Sequence, residues 1–211
     1  MSGAPFIALE GIDGTGKSTQ CRLLAEWLRG RGHGNAVTEC ADPGGTWLGD
    51  RLRAVLLDLR QHMSMRAEVL LFMASRAELV ERVIRPALAA GSAVVTDRFL
   101  VSNVVYQGHA GGLDPEELWR LCLFATDGLQ PDLSIVLDLT VERARPRRKL
   151  EADRIEGRGE EYQEAARQGF LAEARAHPER ICVVSAGRSV KTIHRDIVRE
   201  VERVLEARPR T

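Results

Sequence analysis

Four short apolar runs along the chain have the pattern of buried β-strands. They read PFIALEG, GSAVVTDRF, PDLSIVLDL and ERICVVSAG, and each is bounded by glycine, proline or charged residues. Unbroken apolar runs of this kind are typical of parallel strands that are covered on both faces. The sequence therefore predicts a parallel sheet buried between other elements.

Between these runs lie segments in which apolar residues recur at helical spacing. They read KSTQCRLLAEWLRGRG, GDRLRAVLLDLR, MRAEVLLFMASRAELVERVIRPALAAG, DPEELWRLCLFAT, EEYQEAARQGFLAEARA and SVKTIHRDIVREVERVLEA. We expect Pro86 to kink or end the longest helix near Arg85, because proline lacks the amide hydrogen that a helix interior uses. The alternation of strands and helices favours a doubly wound α/β domain.

Length and composition fit a single domain over residues 1–211. The chain has 211 residues, 44% of them hydrophobic and 28% charged, and its formal net charge is zero. Without a global positive field, long nucleic acid is not an expected partner.

No apolar run is long enough to cross a membrane and no leader pattern begins the chain, so we expect a cytoplasmic protein without a membrane partner. The four cysteines are scattered, which disfavours a zinc site and a disulfide framework.

The stretch LEGIDGTGKST, at positions 9–19, matches the G-x-x-x-x-G-K-[ST] phosphate-loop pattern between a predicted strand and a predicted helix. Glycines let backbone N–H groups turn toward phosphate oxygens, and the helix N-terminus adds partial positive charge. We expect Lys17 to neutralise the β- and γ-phosphates and the Ser18 hydroxyl to coordinate Mg²⁺. The predicted ATP-binding residues of this loop are Gly11, Ile12, Asp13, Gly14, Thr15, Gly16, Lys17, Ser18 and Thr19.

Asp13 is unexpected inside a loop that binds an anion. Its carboxylate would repel phosphate, so we expect it to point away, toward a sugar hydroxyl or the metal shell. The alternative for the whole loop is a glycine-rich turn that binds no ligand.

Two further pairs of residues suggest a nucleotide site. Phe72 and Arg76 are one helical turn apart, so an aromatic face and a planar donor point the same way and suit a base. Asp97 and Arg98 end the run SAVVT, at the sheet edge where ligands of this architecture bind. Arg98 can grip a phosphate, and Asp97 can hold a metal shell or position an attacking oxygen. The alternatives are a core phenylalanine beside a solvated arginine, and a structural ion pair.

The segment at positions 141–160, VERARPRRKLEADRIEGRGE, is rich in arginine and nearly free of apolar residues. It cannot bury a face, so we expect a flap, called here the lid. A lid of this charge can stabilise a transferring phosphoryl group and exclude water. The alternative is a solvated charged loop.

Taken together, these motifs resemble those of the bacterial thymidylate kinases. The phosphate loop is followed by DPGGT (42–46), LLFMASR (70–76), DRFLVSNVVYQG (97–108) and DRIE (153–156), in the order and spacing of that family. The resemblance implies a three-layer P-loop kinase fold, with a five-stranded parallel sheet flanked by helices and an Arg-rich lid. It also implies transfer of a phosphoryl group from Mg-ATP to dTMP, in line and without a covalent intermediate, for dTTP synthesis. The family forms homodimers through helices, so a homodimer is implied as well.

The resemblance also implies how the acceptor is held. Phe72 would stack on thymine, Arg76 would donate a hydrogen bond to the exocyclic oxygen of thymine, and Tyr106 would crowd the 2′ carbon of the sugar. Arg53 and Arg98 would hold the acceptor phosphate. The implied dTMP-binding residues are Asp13, Asp42, Pro43, Arg53, Phe72, Arg76, Arg98, Ser102, Asn103, Tyr106 and Gln107.

For catalysis, the resemblance implies a lid arginine, because family members with a small residue at the Gly14 position use one. Arg147 and Arg148 are favoured, although Pro146 departs from the usual lid sequence. The implied catalytic residues are Lys17, Asp97, Arg147 and Arg148, with Ser18 and Asp97 at the metal and Ala186 and Arg188 beside the adenine of ATP.

Other functions stay open at this level. One is a kinase for another pyrimidine nucleoside monophosphate, such as dUMP or UMP. Another is a P-loop ATPase or nucleotide switch whose arginine-rich segment contacts nucleic acid, which would hydrolyse ATP without a nucleotide acceptor.

Overall fold

The computed structural model describes residues 4–31, 36–148 and 154–206. Its centre is a five-stranded sheet in the order β2-β3-β1-β4-β5, in which every neighbouring pair is parallel. This confirms the predicted sheet. The strands are β1 (Phe6–Glu10), β2 (Val37–Ala41), β3 (Ala93–Asp97), β4 (Leu133–Asp138) and β5 (Ile181–Ser185).

The strand β2 has no counterpart among the four apolar runs. It lies at the edge of the sheet, and only Val37 of its residues is buried. An edge strand that is half exposed alternates in polarity, so a search for continuous apolar runs passes over it.

Helices flank the sheet, as the fold prediction requires. Helix α1 packs against α9, whereas α3 packs against α2 and α6, and α8 packs against β4 and β5. The helices are α1 (Lys17–Gly30), α2 (Trp47–Leu57), α3 (Met65–Leu79), α4 (Arg85–Ala89), α5 (Leu100–Asn103), α6 (Pro115–Ala125), α7 (Val141–Ala144), α8 (Glu160–Ala176) and α9 (Val190–Glu206).

The long helix departs from regular α-helical geometry in the turn before Pro86. Helix α3 ends at Leu79, a π-helical turn follows over Val80–Ile84, and α4 begins at Arg85. The amide of Arg85 donates to the carbonyl of Val80, so the wide turn keeps a hydrogen bond just before the proline.

A second π-helical turn, Val104–His109, follows α5 and brings side chains to the sheet edge. Parallel register aligns the carboxyl ends of the central strands there: Leu9 of β1 pairs with Asp97 of β3 and Ile135 of β4. The phosphate loop after β1 and the Asp97–Arg98 pair after β3 therefore share one edge.

No helix within the described residues is long and apolar enough to cross a membrane. The single-domain boundaries and the lid limits stay predictions, and residues 149–153 of the lid lie outside the described residues.

Candidate active site

A cavity of about 820 Å³ opens at the carboxyl edge of the sheet. Its size is in the range that binds small molecules and cofactors. The structure brings most of the predicted site residues to its wall: Asp13, Gly14, Thr15, Gly16, Lys17, Ser18, Thr19, Asp42, Pro43, Arg53, Phe72, Arg76, Asp97, Arg98, Ser102, Asn103, Tyr106, Gln107, Arg147, Arg148 and Arg188.

Gly11, Ile12 and Ala186 were also predicted in the site, but they do not line this cavity. Their backbone carbonyls instead hold side chains that do. The carbonyl of Gly11 accepts from Arg98, that of Ile12 from Lys17, and that of Ala186 from Arg147.

The phosphate loop leaves backbone donors free at the start of α1. The residue before the helix is Gly16, with φ of 94°, and no side chain caps the first turn. The first N–H groups of a helix have no intrahelical acceptor, so here they are available to an anion. By contrast, Thr46 caps α2 and Ser64 caps α3 through their hydroxyls.

Lys17 is buried at the entrance to this helix. Its Nζ donates to the carbonyl of Ile12 at 2.9 Å and lies 3.6 Å from Oδ1 of Asp13. Burial and the nearby Arg98 lower the pKa of Lys17, and the charges of Asp13, Asp97 and Glu10 oppose that shift. The ammonium group therefore lies among carboxylates next to the free helix N–H groups.

Gly14 makes the loop fit closely against the lid. Its φ is 85°, and a Cβ at this position would lie 2.4 Å from the carbonyl oxygen of Ala144 at the end of α7. Only glycine avoids both the backbone strain and this collision.

Ser18 and Asp97 bring a hydroxyl and a carboxylate together at the loop. Ser18 Oγ donates to Oδ2 of Asp97 at 2.6 Å, across 79 positions of sequence. Mg²⁺ prefers hard oxygen donors and takes few of them from the protein, keeping water and phosphate oxygens as its other ligands. This pair fits that requirement, and within the described ranges no larger group of His, Cys, Asp or Glu could hold a metal.

Arg98 explains why an acid is tolerated inside the loop. Its backbone is in the left-handed region, with φ of 70°, and its side chain donates to the Gly11 carbonyl at 2.9 Å, to Ser102 Oγ at 3.2 Å and to Asp13 Oδ1 at 2.5 Å. Burial alone would raise the pKa of Asp13, but the charges of Arg98 and Lys17 outweigh it and hold that pKa at about 2. Asp13 was expected to face a sugar hydroxyl or a metal shell, and its described contacts are these two cations.

Glu10, at the last position of β1, supports the same corner and was not predicted from the sequence. Its carboxylate accepts from the Phe99 amide at 2.9 Å and from Ser102 Oγ at 2.5 Å. Burial raises the pKa of Glu10, while its hydrogen bonds and the charge of Arg98 oppose the shift. The sequence signal that could have identified Glu10 is an acid at the end of an otherwise apolar strand.

Phe72 and Arg76 lie in the wall of the cavity, but Arg76 is not a solvated helix charge. Its side chain is 1% exposed. Nε donates to Asp42 Oδ2 at 2.5 Å, Nη2 donates to the carbonyl of Phe99 at 3.0 Å and to Asn103 Oδ1, and Nη1 lies 3.4 Å from Cys122 Sγ. Arg76 is therefore a fixed cation in the core beside the cavity.

Asp42 is as deeply buried as its partner. Burial raises the pKa of Asp42, and the charge and hydrogen bond of Arg76 oppose that shift. Its second oxygen, Oδ1, has no hydrogen-bond partner among the described residues. A buried acceptor without a partner is costly, so this oxygen is available to a donor from a ligand.

The amides of Asn103 and Gln107 continue the polar wall. Asn103 Nδ2 donates to Gln107 Oε1 at 2.8 Å, and Gln107 Nε2 donates to Glu68 Oε1 at 2.7 Å. Glu68, on α3, was not predicted from the sequence, although an acid one helical turn before Phe72 in an apolar segment was a visible signal.

Tyr106 faces Arg98, whose Cζ lies 5.0 Å from the centre of the phenol ring. Burial raises the pKa of Tyr106 above its ordinary value. Its hydroxyl is buried and has no hydrogen-bond partner in the described part of the chain.

The first part of the lid holds its arginines in different ways. Arg143 donates to the Gly187 carbonyl at 2.7 Å, Arg145 pairs with Glu160 at 2.8 Å, and Arg147 donates to the Ala186 carbonyl at 3.4 Å. Arg148 differs, since its Nε and Nη2 are buried without a hydrogen-bond partner among the described residues. Guanidinium nitrogens that are buried without a hydrogen-bond partner can bind an anionic ligand.

The part of the cavity wall formed by residues 188–193 was only partly predicted. Arg188 lines the cavity and pairs with Asp196 at 2.5 Å. Ser189, Val190 and Ile193 line it as well. Val190 and Ile193 belong to the first turn of α9 and Ser189 precedes it, in a segment that has a helical pattern but no ligand motif.

Comparisons with known proteins match this chain to thymidylate kinases. A family model described as thymidylate kinase matches residues 9–197. A thymidylate kinase of Symbiobacterium thermophilum is 49% identical over 205 residues, which cover 96% of this chain and 95% of that protein. One of Clavibacter sepedonicus is 48% identical over 187 residues, covering 86% and 87%. The crystal structure of thymidylate kinase from Ehrlichia chaffeensis superposes with a TM-score of 0.77 at 30% identity, covering 95% of this chain and 99% of that one.

A phosphate loop, a buried aromatic and arginine pair, and an arginine-bearing lid thus meet at one cavity, in a chain whose relatives match it over almost its full length. The chain belongs to the thymidylate kinase family.

Proposed function

We propose that this chain transfers the γ-phosphoryl group of ATP directly to the phosphate of dTMP, which gives dTDP and ADP for dTTP synthesis. The observation that carries the proposal is that a phosphate loop and a pocket lined by Phe72 and Arg76 open into the same cavity. Two nucleotides bound there would react directly, and no side chain would have to carry the phosphoryl group from one to the other.

The donor end would bind the phosphates of ATP through the backbone of the loop and the ammonium group of Lys17. The first N–H groups of α1 lack a side-chain cap, and Lys17 is held in place by the Ile12 carbonyl. Preorganised donors of this kind stabilise charge that develops on the transferring group. Arg188 lies in the cavity wall, where it would contact the adenine.

The Ser18 hydroxyl and the Asp97 carboxylate would hold Mg²⁺. When bound, the ion would neutralise charge on the phosphate oxygens. Asp97 also lies where it can orient the acceptor, because it is adjacent to Arg98 in the chain.

The acceptor end would bind dTMP by its base and by its phosphate. Phe72 would stack on thymine, while Arg76, Asn103 and Gln107 would provide fixed polar groups at the base edge. Arg98 would hold the phosphate, because its contacts with Gly11, Ser102 and Asp13 fix the guanidinium and leave other N–H donors. Arg53 is exposed and oriented by the Pro43 carbonyl at 2.8 Å, so it can reach the same phosphate.

Of the lid arginines, Arg148 is our choice for the group that stabilises the transferring phosphoryl. It lines the cavity with unpartnered buried nitrogens, and its charge acts on Asp13 inside the phosphate loop. Arg147 also lines the cavity, but its described contact is the carbonyl of Ala186.

We also propose a cytoplasmic homodimer. Leu70 of α3 is 61% exposed, and Leu121 and Phe124 of the adjoining α6 are 39% and 86% exposed. Apolar side chains exposed on contacting helices suit a second copy of the chain. Sedimentation of the wild type and of Phe124→Asp tests this, since the variant should sediment as a monomer at a concentration where the wild type is a dimer.

The experiment that tests the reaction measures ADP formation from Mg-ATP with dTMP, dUMP, UMP, dCMP or no acceptor. The proposal predicts rapid turnover with dTMP and little without an acceptor. Turnover on another monophosphate in preference to dTMP would make the chain a different pyrimidine kinase. Acceptor-independent hydrolysis would make it an ATPase.

A further inference from the structure

Glu68 is a buried carboxylate next to the cavity, although it is not part of the cavity wall. It lies on α3 one helical turn before Phe72, and it is 0% exposed. Removing a carboxylate from water costs several kcal/mol unless cations or hydrogen-bond donors compensate. The groups that compensate the buried charge of Glu68 therefore indicate the role of this residue.

Three side chains converge on Glu68. Its Oε1 accepts from Gln107 Nε2 at 2.7 Å, and its Oε2 lies 2.6 Å from Arg154 Nη2 and also accepts from Arg158 Nη2. Gln107 belongs to the cavity wall, whereas Arg154 and Arg158 belong to the lid segment that follows residue 153. One buried charge thus joins the acceptor pocket to the lid.

Glu68 also ends a directed chain of hydrogen bonds. Arg76 donates to Asn103 Oδ1, Asn103 donates to Gln107 Oε1, and Gln107 donates to Glu68. A guanidinium has only donors and a carboxylate only acceptors, so the two ends fix the direction of every bond between them. If the side-chain amide of Asn103 or Gln107 were rotated by about 180°, its oxygen would face another oxygen and its N–H group would face another N–H donor.

Ile155, which lines the cavity, directly follows Arg154 and lies three residues before Arg158. Nε of Arg154 donates to the Leu56 carbonyl at 2.8 Å, and Nη1 of Arg158 donates to the Tyr162 hydroxyl at 2.7 Å. Without the carboxylate between them, the two guanidinium groups would repel each other beside the pocket.

We propose that Glu68 is a positioning residue for the acceptor, which fixes the amide direction of Asn103 and Gln107 and holds the turn of Arg154 and Arg158 against the cavity. This rests on the proposed function, since it takes the ligand to be a pyrimidine monophosphate. Thymine offers an N–H at N3 and a carbonyl at C4, whereas cytosine offers an acceptor and an amino group at these positions. Amides of fixed direction discriminate between the two patterns.

The test is steady-state kinetics of Glu68→Gln, which keeps the size of the side chain but removes its charge and lets it donate as well as accept. We expect KM for dTMP to rise by about tenfold or more and the preference for dTMP over dCMP to fall by a similar factor. KM for ATP should stay within about twofold. The matched control is Glu78→Gln on the same helix, which should behave as the wild type.

A charge-balanced variant supplies a second readout. Adding Arg158→Gln to Glu68→Gln removes one of the two facing cations, so the double variant should recover a lower KM for dTMP than Glu68→Gln alone. A merely structural role would lower the thermal midpoint and the active fraction without moving KM or selectivity. If Glu68→Gln does not fold, Glu68→Asp keeps the charge but shortens the reach, and the same rise in KM is expected.

Wild-type values of KM and selectivity in Glu68→Gln, or in Glu68→Asp if that variant replaces it, would overturn the proposal. So would equal rises in KM for dTMP and ATP, or a double variant worse than the single one. A wild-type chain that does not phosphorylate dTMP would instead overturn the proposed function, so the two failures are distinguishable.

Discussion

The two ends of the cavity are built in different ways. The phosphate-loop end is one contiguous stretch, in which glycines at positive φ and uncapped helix N–H groups form the anion site. The acceptor end draws on three separate parts of the chain, which buried hydrogen bonds join: Asp42, then Glu68 and Arg76 of α3, then Asn103 and Gln107. The first depends on local backbone shape, whereas the second depends on charges that balance one another across the fold.

The largest expected effect separates the two ends by function. Lys17→Met should lower turnover by about 10³-fold, because it removes a preorganised cation from the transferring phosphates. Affinity for dTMP, measured by calorimetry without ATP, should change by no more than about twofold. Lys191→Met, an exposed lysine on α9, is the control. Near-normal turnover in Lys17→Met would refute the donor-site assignment.

Stability should respond most at the acceptor end. Arg76→Met leaves the Asp42 carboxylate buried without its cation, so the free energy of unfolding should fall by about 3 kcal/mol in a denaturant titration. Arg82→Met, exposed on the neighbouring π-helical turn, should cost far less. Equal losses in the two variants would contradict the view that buried charge balance holds this end together.

The lid adds a cation to the donor end. Arg148→Gln should lower kcat by about 10²-fold with little change in KM for dTMP, because the charge acts on the transferring group. Arg145→Gln removes an exposed arginine already paired with Glu160 and should have a much smaller effect. If the order of the two effects were reversed, the choice of Arg148 would be wrong.

The smallest effect is a pH dependence at Asp13, where the two ends touch. The folded-state pKa of about 2 lies below the ordinary 3.8, so this carboxylate stabilises the fold above pH 3.8 and loses that effect as the pH falls toward 2. The contribution is roughly 2 kcal/mol. Unfolding of the wild type and Asp13→Asn should therefore differ at about pH 5 and converge near pH 2. A difference that does not depend on pH would contradict the ion pair with Arg98.

The same contrast explains what the sequence could predict. The phosphate loop, the four apolar strands and the long helices follow from local patterns, and the structure has them where they were expected. The edge strand β2 and the π-helical turn that carries Tyr106 and Gln107 do not follow from such patterns, because pairing and packing determine them. Glu10 and Glu68 were missed for a related reason: a buried acid is recognised by partners that lie far away along the chain. The roles assigned to individual site residues stay predictions.

Direct transfer between two nucleotides in one cavity can be distinguished from hydrolysis by ³¹P nuclear magnetic resonance of the reaction in ¹⁸O-enriched water. With ATP, Mg²⁺ and dTMP, we expect equal amounts of ADP and dTDP, no ¹⁸O in the new phosphoryl group and almost no inorganic phosphate. Inorganic phosphate carrying ¹⁸O as the main product, whether or not dTMP is present, would contradict it.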